Sequence, residues 1–151
     1  MSHYLPMLVC LFMANVLFAQ CPVLELGAFQ QIQRTEGPEK EAKILAQGFD
    51  LHSDFVLGGK KMRRFNKCWK GNSGKARYEQ VLLWNSSANQ VMLLLSDEAQ
   101  YQTMRTTIEG RHNATNAQKG DDFYIGTVFR YHFSVQQLDA EPYFTIGIAF
   151  K

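Results

Sequence analysis

The chain has 151 residues, of which 46% are hydrophobic and 20% charged, with four prolines and a formal net charge of +2. That composition excludes a disordered or low-complexity chain, and the length suits one domain able to bury a core of its own. The near-neutral total also conceals a concentration of charge in one segment.

From Leu5 to Ala19 the chain is an almost unbroken apolar run, interrupted by Pro6 and Asn15 and closed by the small Ala19 before the polar Gln20. This is the outline of a secretory signal peptide. The start carries no Lys or Arg, and Leu17 stands at the −3 position where a smaller residue is usual. A run of about 15 residues falls short of the roughly 20 needed to span a bilayer, which favours a cleaved leader over an anchor. The expected organisation is a leader, 1–19, and a single β-rich secreted domain, 20–151.

Secretion decides how the cysteines and asparagines are read. Cys10 leaves with the leader, and Cys21 and Cys68 remain as an even pair in an oxidising compartment. One intramolecular disulfide is expected. The N-x-S/T sequons at Asn85 and Asn113 are glycosylation candidates. Asn113 stands in the polar stretch RHNATNAQKGDD, whereas Asn85 follows an apolar run and also reads as a turn residue.

Leu24–Ile32 and Gly48–Leu57 read as strands, and between them EKEAKILAQ reads as a short helix opened by Pro38. In the second strand a period of two puts Asp50, His52 and Asp54 on one face. That spacing suits a cation, but a half-buried strand with its polar side in water is the ordinary reading, and no metal site is assigned.

The next segment is the most unusual of the domain. Lys60 to Arg77 holds Lys60, Lys61, Arg63, Arg64, Lys67, Lys70, Lys75 and Arg77, half of the chain's 16 basic residues, and no acid lies between Asp54 and Glu79. The segment carries +8 and the remainder −6. It reads as a loop tied to the body of the fold at Cys68.

Ala76–Trp84 alternates, Gln90–Ser96 contains the buried run VMLLL, and residues 85–89 between them make a hairpin. Asp97–Thr103 reads as a turn of helix and Thr103–Glu109 as a strand. Residues 122–135 read as one long strand with Phe123, Ile125, Phe129, Tyr131 and Phe133 on one face and Tyr124, Arg130 and His132 on the other. Residues 143–151 alternate as well, and QQLDAEP is short enough to join the two as an antiparallel hairpin. Gly126 and Gly147, inside these strands, mark a bend, a bulge or a close backbone approach. The expected fold is all-β: a single-domain antiparallel sandwich or barrel of about seven to eight strands with at most one or two short helices.

No HExxH, G-x-S-x-G, P-loop or Rossmann fingerprint is present, and Asp121-Asp122 reads as turn chemistry. No catalytic residue or cofactor is assigned, and the protein reads as a non-enzyme. The candidate site is the basic segment. Lys60, Lys61, Arg63, Arg64, Lys67 and Lys70 would attract a polyanion, and Phe65 and Trp69 would stack on a sugar ring or enter a lipid interface. A solvated loop serving solubility is the plain competitor. Outside a cell the expected partner is an anionic glycan, an acidic membrane surface or an extracellular protein, and nucleic acid is not expected. The leading reading is a secreted binding module for an anionic glycan or other polyanionic surface. The alternatives are a lipocalin-like carrier of a small apolar ligand in a β-barrel, although the G-x-W-Y element of lipocalins is missing, and an extracellular structural or interaction protein.

Overall fold

The computed structural model describes residues 21–71, 77–110 and 117–151. The expected leader, Lys75 and the Asn113 sequon lie outside the described residues. The order of elements is α1 (Leu26–Arg34), α2 (Gly37–Ala46), β1 (Asp50–Leu57), β2 (Lys60–Trp69), β3 (Tyr78–Asn85), β4 (Gln90–Leu95), α3 (Glu98–Gly110), β5 (Gln118–Lys119), β6 (Phe123–Ile125), β7 (Phe129–Leu138) and β8 (Glu141–Phe150).

The eight described strands form one antiparallel sheet in the order β1-β2-β3-β4-β8-β7-β6-β5. Two four-stranded meanders, β1–β4 and β5–β8, meet where β4 pairs with β8. The sheet stays open, with β1 and β5 as its edges, and its arrangement is sandwich-like, which bears out the all-β expectation. The β4–β8 register places Val91 opposite Ile148, Leu93 opposite Ile146 and Leu95 opposite Phe144. These side chains form the centre of the main core, which the helices close from one side through Phe29 and Ile32 of α1, Ile44 of α2 and Tyr101, Met104 and Ile108 of α3.

The opposite face carries a smaller apolar cluster of Met62, Val81, Leu83, Leu94 and Tyr143. Past the end of the shorter β4, the Tyr143 hydroxyl donates to the Tyr78 carbonyl at 2.9 Å and accepts from the Tyr78 N–H at 3.2 Å. The sheet coils enough to bring the β7–β8 turn onto β2, where Asp139 meets Arg64.

The disulfide joins Cys21 to Cys68 with their Cα atoms 6.0 Å apart. Around it the first described residues are stitched to the sheet. The buried Gln80 side chain accepts from the Leu24 N–H at 3.0 Å and donates to the Pro22 carbonyl at 3.0 Å. On α2, Lys40 is buried over the Trp84 ring and donates to the Asn89 side-chain oxygen. Burial holds its ammonium pKa down to about 8, although Glu36 works in the other direction.

Five local expectations are corrected. Leu24–Ile32 is not a strand: Leu26, Phe29, Ile32 and Gln33 are buried at helical spacing, and α1 results. Thr103–Glu109 belongs to α3, whose buried Tyr101, Met104 and Ile108 recur at three and four residues. The Asp97 carboxylate caps that helix by accepting from the N–H groups of Ala99 and Gln100. In both places packing of one helical face overrides weak β propensity. The described helices number three, not one or two. The basic segment is largely a strand, β2, rather than a loop. Lastly, 122–135 is two strands: the chain reverses after Ile125, and the Gly126 N–H bonds the Phe129 carbonyl at 2.8 Å. The reversal carries Tyr124 into the main core beside Tyr131 and leaves Phe123 and Ile125 opposite His132 and Arg130 on the other face.

Candidate functional site

As a strand, β2 sends alternate residues to the two faces of the sheet, and its charges divide accordingly. Arg63 points toward the helices. Its guanidinium donates to both oxygens of Glu41 at 2.6 and 3.2 Å and to Asp54 at 2.9 Å, and it lies over the rings of Phe65 and Trp84. These hydrogen bonds, Glu41 first, raise the Arg63 pKa. Phe65 follows on the same side, fully enclosed in the main core. Lys67 is buried over the Phe49 ring and donates to the Pro22 carbonyl at 2.7 Å, and burial lowers its pKa.

Arg64 points the other way and is only 6% exposed. It donates to the Asn66 side-chain oxygen at 2.9 Å and to Asp139 at 2.6 Å. The Arg64 hydrogen bond holds the Asp139 carboxyl below the usual carboxylate range. Arg77, just before β3, pairs with Glu141 at 3.6 Å. The described interior of the basic segment is therefore a set of clasps. It fastens β2 to α2, to β1, to the N-terminal stretch and to the β7–β8 turn.

What remains open lies at the two ends of the strand. At one end are Lys60 and Lys61, and at the other Trp69, 68% exposed, and Lys70. A ten-residue strand separates these ends by about 30 Å, so they do not form one patch. The Lys60–Lys61 end is the tip of the β1–β2 hairpin. Gly58 and Gly59 both take positive φ, 56° and 76°, which is the turn that matches the twist of a two-residue hairpin. Beside the lysines stand Val56, 70% exposed, and Leu57, 61% exposed. The root of the tip is fixed: the Lys61 carbonyl accepts from the Ser86 N–H at 3.1 Å and the Lys61 N–H donates to the Ser87 hydroxyl at 3.2 Å.

The Asp50–His52–Asp54 row is broken by a bulge between Leu51 and Ser53, which turns Asp54 to Arg63 and places His52 against Ser53 and the Tyr78 ring. Among the described residues no group of three His, Cys, Asp or Glu is placed to hold a cation. Asn85 is 3% exposed, and its side-chain oxygen accepts from the N–H groups of Ser87 and Ala88, an Asx turn that starts the β3–β4 connection.

The partners that absorb the charge were not legible as a site. Glu41 lies 22 residues before Arg63, and Asp139 lies 75 after Arg64. Only tertiary pairing brings them together. No protein-family model, curated protein or solved structure matches the chain.

Proposed function

We propose that the protein is a secreted, non-enzymatic binding module that rests on an acidic lipid surface through the tip of the β1–β2 hairpin. The observation that carries this reading is the contrast within the basic segment. Arg63, Arg64 and Lys67 are spent on internal acceptors, while Lys60 and Lys61 stand exposed beside Val56 and Leu57. Two aliphatic side chains at a turn, flanked by two ammonium groups, suit an interface where hydrocarbon lies beneath phosphate. Each lysine near an anionic surface contributes about 1 kcal/mol, so the contact is weak and reversible and falls with salt. The same compartment would carry a glycan at Asn113, since the Asn85 side chain is engaged in its turn.

The test is co-sedimentation with phosphatidylserine-containing and pure phosphatidylcholine vesicles. The parent protein is expected to bind only the acidic vesicles, and both Lys60→Ala/Lys61→Ala and Val56→Ser/Leu57→Ser are expected to lose that binding. Equal binding by parent and lysine variant would overturn the reading. Retention on a sulfated-glycan column that depends on the lysines but not on Val56 and Leu57, without vesicle binding, would assign the tip to a glycan instead.

A further inference from the structure

On the other half of the sheet, across the face not covered by helices, lies a trough of about 280 Å³. Gly147 and Ala149 of β8 line it together with Gln90 at the start of β4, Arg130 and His132 of β7, and Phe123 and Ile125 of β6. The register sets these groups side by side: Gly147 opposite His132 and Ala149 opposite Arg130, then His132 opposite Phe123 and Arg130 opposite Ile125.

Four features mark the trough as more than a surface dip. Gly147 does not take positive φ, and a Cβ built on it would meet its nearest neighbours, Gln90, His132 and Met92, at an ordinary 3.7 Å. Neither backbone nor packing demands glycine in the middle of this strand, and its bare backbone forms part of the trough floor. Arg130 is exposed and has no ion-pair partner among the described residues, unlike the arginines of β2. His132 Nδ1 lies 3.0 Å from the Asp122 carbonyl. A carbonyl only accepts, so Nδ1 carries a proton toward it, and in the neutral tautomer Nε2 is an acceptor. The Phe123 ring, partly exposed, forms a wall of the trough and packs over Gly120, where a Cβ would lie 2.2 Å from it.

A guanidinium without a carboxylate, an imidazole acceptor, an amide, a bare floor and an aromatic wall describe a site for one ring carrying a carboxylate and hydroxyl groups. We infer that this trough binds a hydroxylated ring acid, with the carboxylate on Arg130, a hydroxyl on His132 and the ring between Gly147 and Phe123. Its volume, just below the usual range for ligand pockets, limits the ligand to a single ring. The inference is independent of the hairpin tip, which lies on the other half of the sheet.

Ligand-observed NMR and calorimetry with glucuronate, 4-hydroxybenzoate and glucose test it on the full domain. At least one of the two acids is expected to bind while glucose does not, and which acid binds tells a sugar acid from a phenolic acid. Arg130→Gln should weaken that acid at least tenfold. Gly147→Ala, which the backbone and neighbours accommodate, should weaken it several-fold while urea denaturation shows the fold intact. Lys60→Ala/Lys61→Ala should leave it unchanged. Binding of neither acid, binding of glucose as well as the acids, or parent-like binding by both trough variants would overturn the inference.

Discussion

Strands β2 and β7 are both ten residues long and both set basic side chains among aromatic ones, yet their charges meet opposite fates. In β2 the guanidiniums of Arg63 and Arg64 and the ammonium of Lys67 each end on a carboxylate or carbonyl drawn from another element. In β7 Arg130 stands in the open, and His132 keeps one ring nitrogen unused by its backbone contact. The difference follows from position. β2 lies between the edge strand and the centre, where α2, the N-terminal stretch and the coiled-over β7–β8 turn all reach it. The outer half of β7 is flanked on that face by the short β6 and by the glycine of β8. A run of positive charge in a sequence thus reports how many acceptors the fold must supply, and a sparse pair reports what the fold has left for something else.

The contrast is best broken from the β2 side. Replacing both Cys21 and Cys68 with Ser is expected to cost about 4 kcal/mol in urea denaturation, the loop-closure value for a 47-residue separation. A loss below about 1 kcal/mol would mean that β2 is not pinned at its end. Next comes a matched pair of charge removals. Asp139→Asn leaves the buried Arg64 guanidinium facing a neutral amide in place of a carboxylate and should cost about 2 kcal/mol, less than for a fully buried pair because Asp139 is half-exposed. Arg130→Gln should stay within about 0.5 kcal/mol of the parent. Equal costs would erase the distinction between the strands.

Asp139 also gives the pair a pH signature. Its folded pKa is depressed by Arg64, so the stability it contributes is present above the unfolded carboxylate pKa and is lost as pH falls through the folded one. The acid limb of the stability profile should be shallower in Asp139→Asn. Lys40 has the opposite consequence. Its folded pKa of about 8 lies below the free value of 10.5, so between them the unfolded chain binds the extra proton and stability rises with pH. A gain of about 3 kcal/mol is expected over that window and should vanish in Lys40→Met. The smallest effect is at the tip, where Lys60→Ala/Lys61→Ala should leave stability within about 0.5 kcal/mol.

The β architecture, the β3–β4 and β7–β8 hairpins, α2 and the disulfide were legible because each rests on local signals: alternation, short polar turns, a proline at a helix start, an even cysteine pair. What escaped was decided at a distance. α1 and α3 are short, and Leu24–Ile32 and Thr103–Glu109 hold enough branched and apolar residues to suit either structure until a sheet offers a surface for one helical face. The break at Gly126 moved Phe123 and Ile125 to the opposite face from Phe129 and Tyr131, and an unbroken alternation gave no sign of it beyond the glycine itself. The basic segment was legible as charge but not as partnership, because Glu41, Asp139 and Glu141 are recruited from both ends of the chain.

The position of β8 governs how such a chain comes to be folded at all. The strand that joins the two meanders, flanked by β4 and β7, comes after all the other described strands in chain order. Until residue 150 has emerged, β1–β4 has no neighbour along β4 and β6–β7 has no partner along β7. The halves wait with apolar edges uncovered, and the slow, long-range pairing comes last. Pairing of the two halves therefore waits for β8, and loss of Glu141–Phe150 removes the seam between them.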